Sequence, residues 1–231
     1  MDERDWLTCN DPDKMLRLLG ENRQLSRRKV RLFAVACCRQ IWRLLSHPPS
    51  QQAVEVSEQY AEGSVTAAKL RKAERGASAV ASDLEFEAAL MMRLPAYAAK
   101  DAALAAAEVA RTRLFPERVA ATARAAVTAT PQAPKDQGAL LRDIFGNPFR
   151  RLPSIDPAVL AWQDGTVVRL AQAAYEEREM PSGHLDRQLL AVLADALEEA
   201  GCTEQEVLGH LRGPGVHVRG CWVIDFLTGR K

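Results

Sequence analysis

The chain has almost no net charge: 31 lysines and arginines stand against 30 acidic residues in 231, leaving +1 with histidines neutral. That balance excludes a whole-molecule attraction to nucleic acid or to an anionic membrane and leaves only local asymmetry. Aromatic residues are 6% of the chain, too few for a β-sandwich, which draws on aromatic and β-branched side chains. Every long apolar run is cut by Arg, Glu or Lys before the roughly 20 residues that a membrane span needs. The cysteines Cys9, Cys37, Cys38, Cys202 and Cys221 are odd in number, include no CxxC pair, and follow an opening without a signal-peptide pattern. Free thiols in a reducing cytosol are therefore expected. Walker, Rossmann, HExxH, GxSxG and EF-hand signatures are all missing, which removes the most readily recognised NTPases, dinucleotide enzymes, zincins, hydrolases and calcium sites.

What is present is helix-forming sequence. The stretch 26–45, SRRKVRLFAVACCRQIWRLL, places Val30, Phe33, Ala34, Cys37, Ile41 and Leu44 on one apolar stripe, with Val35, Cys38, Trp42 and Leu45 beside it. So wide an apolar surface predicts a helix with neighbours on more than one side. Residues 1–9 are expected as a strap on the body. Asp11 and Pro12 open a helix over 12–19, and Pro48 and Pro49 are expected to lie in the turn after the 26–45 helix. Residues 50–62 form the next helix, with Gly63 as its stop.

Alanine dominates 66–130, where Pro95 and Pro116 divide three expected helices, 67–93, 96–114 and 116–128. The segment TPQAPK around 131–135 reads as a linker between an N-terminal bundle, 1–130, and a smaller C-terminal cluster, 136–231, with one continuous domain as the alternative. In the cluster, helices are expected from Gly138 to Gly146, from Asp156 to Trp162, and over 166–179 and 185–200. Thr203 and Glu206 suggest a capping box before a helix ending at Leu211, and CWVIDFLTG a last helix, with a strand as the alternative. The fold class is all-α: a multi-helix bundle with alanine-rich hairpins and a C-terminal cluster packed back on it.

Cys202, His210, His217 and Cys221 amount to a complete tetrahedral zinc set if the Gly213–Gly215 loop closes the distance. Only His217 and Cys221 are close in sequence, so capping and packing roles are the simpler expectation. Cys221 with His210 or His217 as base, and Asp225 as orienting group, is the corresponding thiol chemistry. Cys37 and Cys38 diverge by about 100° on a helix and read as separate core residues. Arg27, Arg28, Lys29, Arg31, Arg39 and Arg43 make a basic edge, for which Glu198, Glu199, Glu204 and Glu206 are available partners. The NPFR turn sets Phe149 beside Arg150, either as a recognition edge or as a pin onto the body.

Several ordered blocks together resemble an uncharacterised bacterial family of helical proteins: WLTCNDPDKML from Trp6, RLFAVACCRQIW from Arg31, AVEVSEQYAEG from Ala53, LLRDIFGNPFR from Leu140, and LADALEEAGC with GPGVHVRGCWVIDFL near the C-terminus. The resemblance implies a helical cytosolic bacterial protein and supplies no reaction. LADALEEAGC is also similar to the core of small accessory domains attached to large bacterial signalling proteins. The function expected is a non-enzymatic interaction or scaffold module whose partner is another protein, using Arg28, Arg39, Arg43, Phe149 and Arg150. Its rivals are a zinc-binding or thiol-dependent enzyme and a nucleic-acid-binding helical protein. Apart from zinc, no cofactor is expected.

Overall fold

Ser26 caps the organising helix, its hydroxyl accepting the Lys29 N–H at 3.1 Å. In the computed structural model, which describes residues 1–91, 94–114, 118 and 133–230, that helix is α3, Arg27–Gln40. It is buried without interruption from Val30 to Arg39. Ile41 leaves helical geometry, and a 3-10 turn, Trp42–Leu44, replaces the expected final helical turn. Around α3 lie α1 (Glu3–Thr8), α2 (Pro12–Glu21), α4 (Pro48–Ala61), α5 (Ala67–Met91), α6 (Leu94–Val109) and α7 (Ala133–Phe145). The fold is all-α: among the described residues, the strands are two residues each, β1 (Arg178–Glu179) and β2 (His184–Leu185).

The strap is a capped helix. Asp2 and Asp5 exchange hydrogen bonds with each other's amides, and Trp6, fully buried, donates its indole N–H to the Gly146 carbonyl at 3.2 Å. Arg142 of α7 donates to the carbonyls of Trp6 and Cys9, at 3.1 and 2.8 Å. Gly138 lets α7 approach, since a Cβ there would lie 2.8 Å from the Cys9 oxygen.

Pro48 and Pro49 begin α4 instead of lying in the preceding turn, because a first-turn residue needs no N–H partner. The α5/α6 hairpin packs Ala73 and Ala77 with Ala107 and Ala110, and Ala81 with Ala103, all buried, as small side chains permit. Helix α6 stops at Val109, short of the expected residue 114. The Arg31 guanidinium takes the freed carbonyls of Val109, Arg111 and Thr112 at 2.6, 2.8 and 3.2 Å, and Ser57 also donates to Val109. Apart from Arg118, the expected helix 116–128 lies outside the described residues.

The proposed linker is helical from Ala133 onward, as part of α7. Leu140, Leu141 and Ile144 then enter the same core as Leu16, Phe33, Cys37 and Ala106. A second core gathers α8 (Pro157–Glu176), α9 (Arg187–Glu199), α10 (Gln205–Arg212) and α11 (Trp222–Thr228) through Val167, Tyr175, Leu193, Leu197, Val207 and Ile224. The expected break in α8 is present: Trp162 to Gly165 leave helical geometry. Two boundaries differ. Helix α8 ends at Glu176, before Pro181, and the β1/β2 pairing of Arg178 with Leu185 and Glu179 with His184 follows. The Thr203/Glu206 capping box does not form: α10 starts one residue later, on Glu204, and Glu206 turns toward Arg150 at 3.8 Å.

Buried ion pairs tie these layers together. Glu58 receives Arg39 at 2.7 Å and Arg178 at 2.6 Å. Arg28 reaches Asp225 at 2.7 Å and Glu62 at 3.1 Å, and donates to the Tyr175 hydroxyl, which itself donates to Glu62 at 2.7 Å. Removing one partner of such a buried set leaves the others desolvated and unpaired. Glu58→Ala is therefore expected to cost about 3–5 kcal/mol in chemical denaturation.

Burial also raises the thiols of Cys37 and Cys38, the latter to about 12. Unfolded thiols ionise near 9, so above that pH the native state holds more protons than the unfolded one and stability falls. Between pH 9 and 10 the loss is about 1 kcal/mol per buried thiol. Denaturation midpoints of the wild type and Cys38→Ala, compared across that interval, check it: the variant should lose less.

Candidate functional site

An aspartate on an apolar helix face is costly unless other elements supply its hydrogen bonds. Asp143 sits one turn from Leu140 on α7, nearly inaccessible at 3% exposure. Its partners come from the far end of the chain. Oδ1 lies 2.8 Å from Nδ1 of His217 and 3.1 Å from Nε2 of His210, and Oδ2 accepts the Val218 N–H at 2.9 Å. Burial pushes the Asp143 carboxyl up, but the hydrogen bonds from the two histidines prevail and hold it below the usual aspartate value.

The loop between α10 and α11 delivers these groups. Leu185 N–H bonds to the His217 carbonyl at 2.9 Å, and a bridge joins His184 to Val218, so the short β-hairpin anchors the loop. Gly220 turns the chain at φ +91°, where a Cβ would come 3.0 Å from Leu32. Cys221 follows as the residue before α11, fully buried, its sulfur 3.2 Å from His210 Nε2 and 3.9 Å from His217 Nδ1. Burial, and then the Asp143 charge, raise this thiol well above its ordinary range.

The tautomers follow from the neighbours. Trp222 points its indole N–H, which can only donate, at His210 Nδ1 from 3.3 Å. Nδ1 therefore accepts, and the neutral ring carries its proton on Nε2, facing Asp143 and Cys221. Nδ1–H of His217 faces Asp143 in the same way, while its buried Nε2 has no hydrogen-bond partner. The two imidazoles meet edge to face, with ring centroids 4.7 Å apart.

Three of the four sequence-predicted ligands thus converge. Cys202 does not: it packs in the second core where α9 hands over to α10, and Asp143 takes its place. One ligand atom from each of Asp143, His210, His217 and Cys221 lies within 4.8 Å of the others, a group able to hold a metal ion. The predicted orienting group, Asp225, is instead bound to Arg28. A thiol relay needs the carboxylate and the thiol on opposite ring nitrogens, whereas Asp143 and Cys221 both face Nε2 of His210. Asp143 escaped sequence reading because its partners lie 67 and 74 residues away. The available signal was an acid among Leu140, Leu141 and Ile144.

The basic edge is largely spent. Arg28, partly buried, and Arg39, buried, are held in the pairs above, Arg31 is held by carbonyls, and Arg43 is exposed with no ion pair to a described residue. None of their partners is one of the four expected glutamates: Glu198 takes Arg212 at 2.6 Å, and Glu206 faces Arg150. Arg150 also grips Glu3 at 2.6 Å, leaving Phe149 exposed. Concavities of about 270 and 320 Å³ flank residues 147–153, and both are lined by Asn147, Arg150, Glu206 and Trp222. His210 edges the second.

Comparison with protein families, with curated proteins and with solved structures finds no match.

Asp143→Ala removes the acceptor of three buried donors and is expected to cost about 3 kcal/mol or more. Urea denaturation measures that loss. Iodoacetamide should also modify Cys221 faster in the variant than in the wild type, where the thiol is enclosed.

Proposed function

We propose that the chain is a non-enzymatic docking module that binds an apolar, acidic segment of another protein along residues 147–153. The observation carrying this reading is the make-up of that segment. Phe149 and Leu152 are 41% and 68% exposed, Arg151 is exposed between them, and concavities open on both sides. Exposed apolar side chains beside an exposed cation are the elements of a recognition surface. Leu7, also exposed, extends the apolar strip along the rim of the second concavity. Trp222 supplies an aromatic floor common to both.

The charge favours an acidic partner. Lys29, Arg150 and Arg151 line the first concavity with Glu206 as the one acid; Lys29 is held by the Ile144 carbonyl and Asp225 and Arg150 by Glu3, so Arg151 is the exposed cation offered to a partner. Nucleic acid is the weaker reading because Arg28, Arg31 and Arg39 already donate to groups within the chain. A bacterial cytosolic setting accords with the resemblance of the sequence blocks, and no described helix is long and apolar enough to cross a membrane.

The test is fluorescence anisotropy with labelled decapeptides of alternating Glu and Leu or alternating Lys and Leu. The Glu peptide is expected to bind, and the double variant Arg151→Glu, Leu152→Asp to weaken it at least tenfold. Equal binding of the Lys peptide, or unchanged affinity in the double variant, overturns the assignment.

A further inference from the structure

At the Asp143 cluster two ring protons face one carboxylate oxygen, and a thiol lies beside them. Nε2–H of His210 and Nδ1–H of His217 both face Asp143 Oδ1, and the Cys221 thiol lies against the same histidine nitrogens. A single divalent cation would replace those two protons and the thiol's. We infer that Asp143, His210, His217 and Cys221 form a structural zinc site that staples α7 to the loop and helices of the C-terminal core.

Four of the six ligand-to-ligand distances suit such an ion, and all six are within 4.8 Å. Zinc bonds of about 2.0–2.2 Å to nitrogen or oxygen and about 2.3 Å to sulfur give tetrahedral edges of about 3.3 Å for N···O and about 3.6 Å for N···S. The cluster has N···O separations of 2.8 and 3.1 Å and N···S separations of 3.2 and 3.9 Å. Each lies within about half an ångström of the ideal edge. A mixed carboxylate, imidazole and thiolate set selects zinc over calcium or magnesium, which take oxygen ligands. One carboxylate and one thiolate neutralise the dication, a necessity where Asp143, His217 and Cys221 are all buried.

On binding, the Cys221 S–H bond breaks, the sulfur bonds to zinc, and the proton passes to solvent. His217 ligates through Nδ1, so its ring proton moves to Nε2; His210 ligates through Nε2, so its ring proton moves to Nδ1 and meets the Trp222 indole N–H. Two donors repel, and the indole shifts toward the concavity that it lines. Protein atoms fill all four positions and leave none for a reacting water, so the site is structural. The sequence-level set differs in one ligand: Asp143 replaces Cys202.

The experiment titrates the chelator-treated full chain with Co²⁺ and then Zn²⁺. One equivalent of cobalt is expected to give tetrahedral d–d bands and a thiolate-to-cobalt charge-transfer band, both erased by zinc. Cys202→Ser should leave this unchanged. Cys221→Ser should lose the charge-transfer band and bind cobalt at least 100-fold more weakly. Emission from Trp222, read as the difference between the wild type and Trp222→Phe, should shift with the same stoichiometry. Absence of stoichiometric binding in the wild type overturns the site whether or not any variant folds. A charge-transfer band that survives in Cys221→Ser, or disappears in Cys202→Ser, overturns the ligand set, and an unmoved Trp222 emission overturns His210 as a ligand.

Discussion

A guanidinium cannot shed its charge, so wherever one is buried the chain must bring it a counter-charge or a ring of carbonyls. Arg28 stands between the two cores under that constraint. Asp225 meets it from α11, Glu62 from the end of α4, and the Tyr175 hydroxyl from α8. Satisfying one side chain therefore sets the position of three elements from distant parts of the chain. Arg39 repeats the device with Glu58, which also holds Arg178 and so fixes the start of the β-hairpin.

The Asp143 cluster depends on that arrangement. Asp225 lies four residues after Cys221, so anchoring α11 to Arg28 also sets the start of α11 beside α7. The hairpin that follows Arg178 binds the His217 carbonyl through Leu185. Arginines on α3 thus position a site in which they take no part. The same pairs take Arg28 and Arg39 out of the basic edge and leave Arg27 and Arg43 exposed on it, while Arg151 is exposed beside Leu152. The surface proposed for docking and the buried cluster meet at Trp222, which faces His210 on one side and lines both concavities.

Much of the helical architecture was legible because its signals are local. Asp11 with Pro12, Asp156 with Pro157, and Gly229 after the last helix act through hydrogen bonds and backbone geometry within a few residues. The errors arose where tertiary partners overrode local preference. Val109 ends α6 because Arg31 and Ser57 claim its carbonyl, and Thr203 loses its capping role with the helix start one residue on. Three of the four cluster ligands were named from residue type alone; Asp143 was missed, and Cys202 stood in its place.

The sequence by itself determined the all-α class, the breaks at Trp162–Gly165 and after Leu211, and the burial of Cys37 and Cys38, since each follows from periodicity or from what a short segment can satisfy internally. Only the tertiary structure decided which acid each arginine takes and which carboxylate joins His210, His217 and Cys221. Hydrogen bonds and ion pairs act over about 3 Å in space, and nothing in a linear chain records that Asp143 and His217, 74 residues apart, come within 2.8 Å.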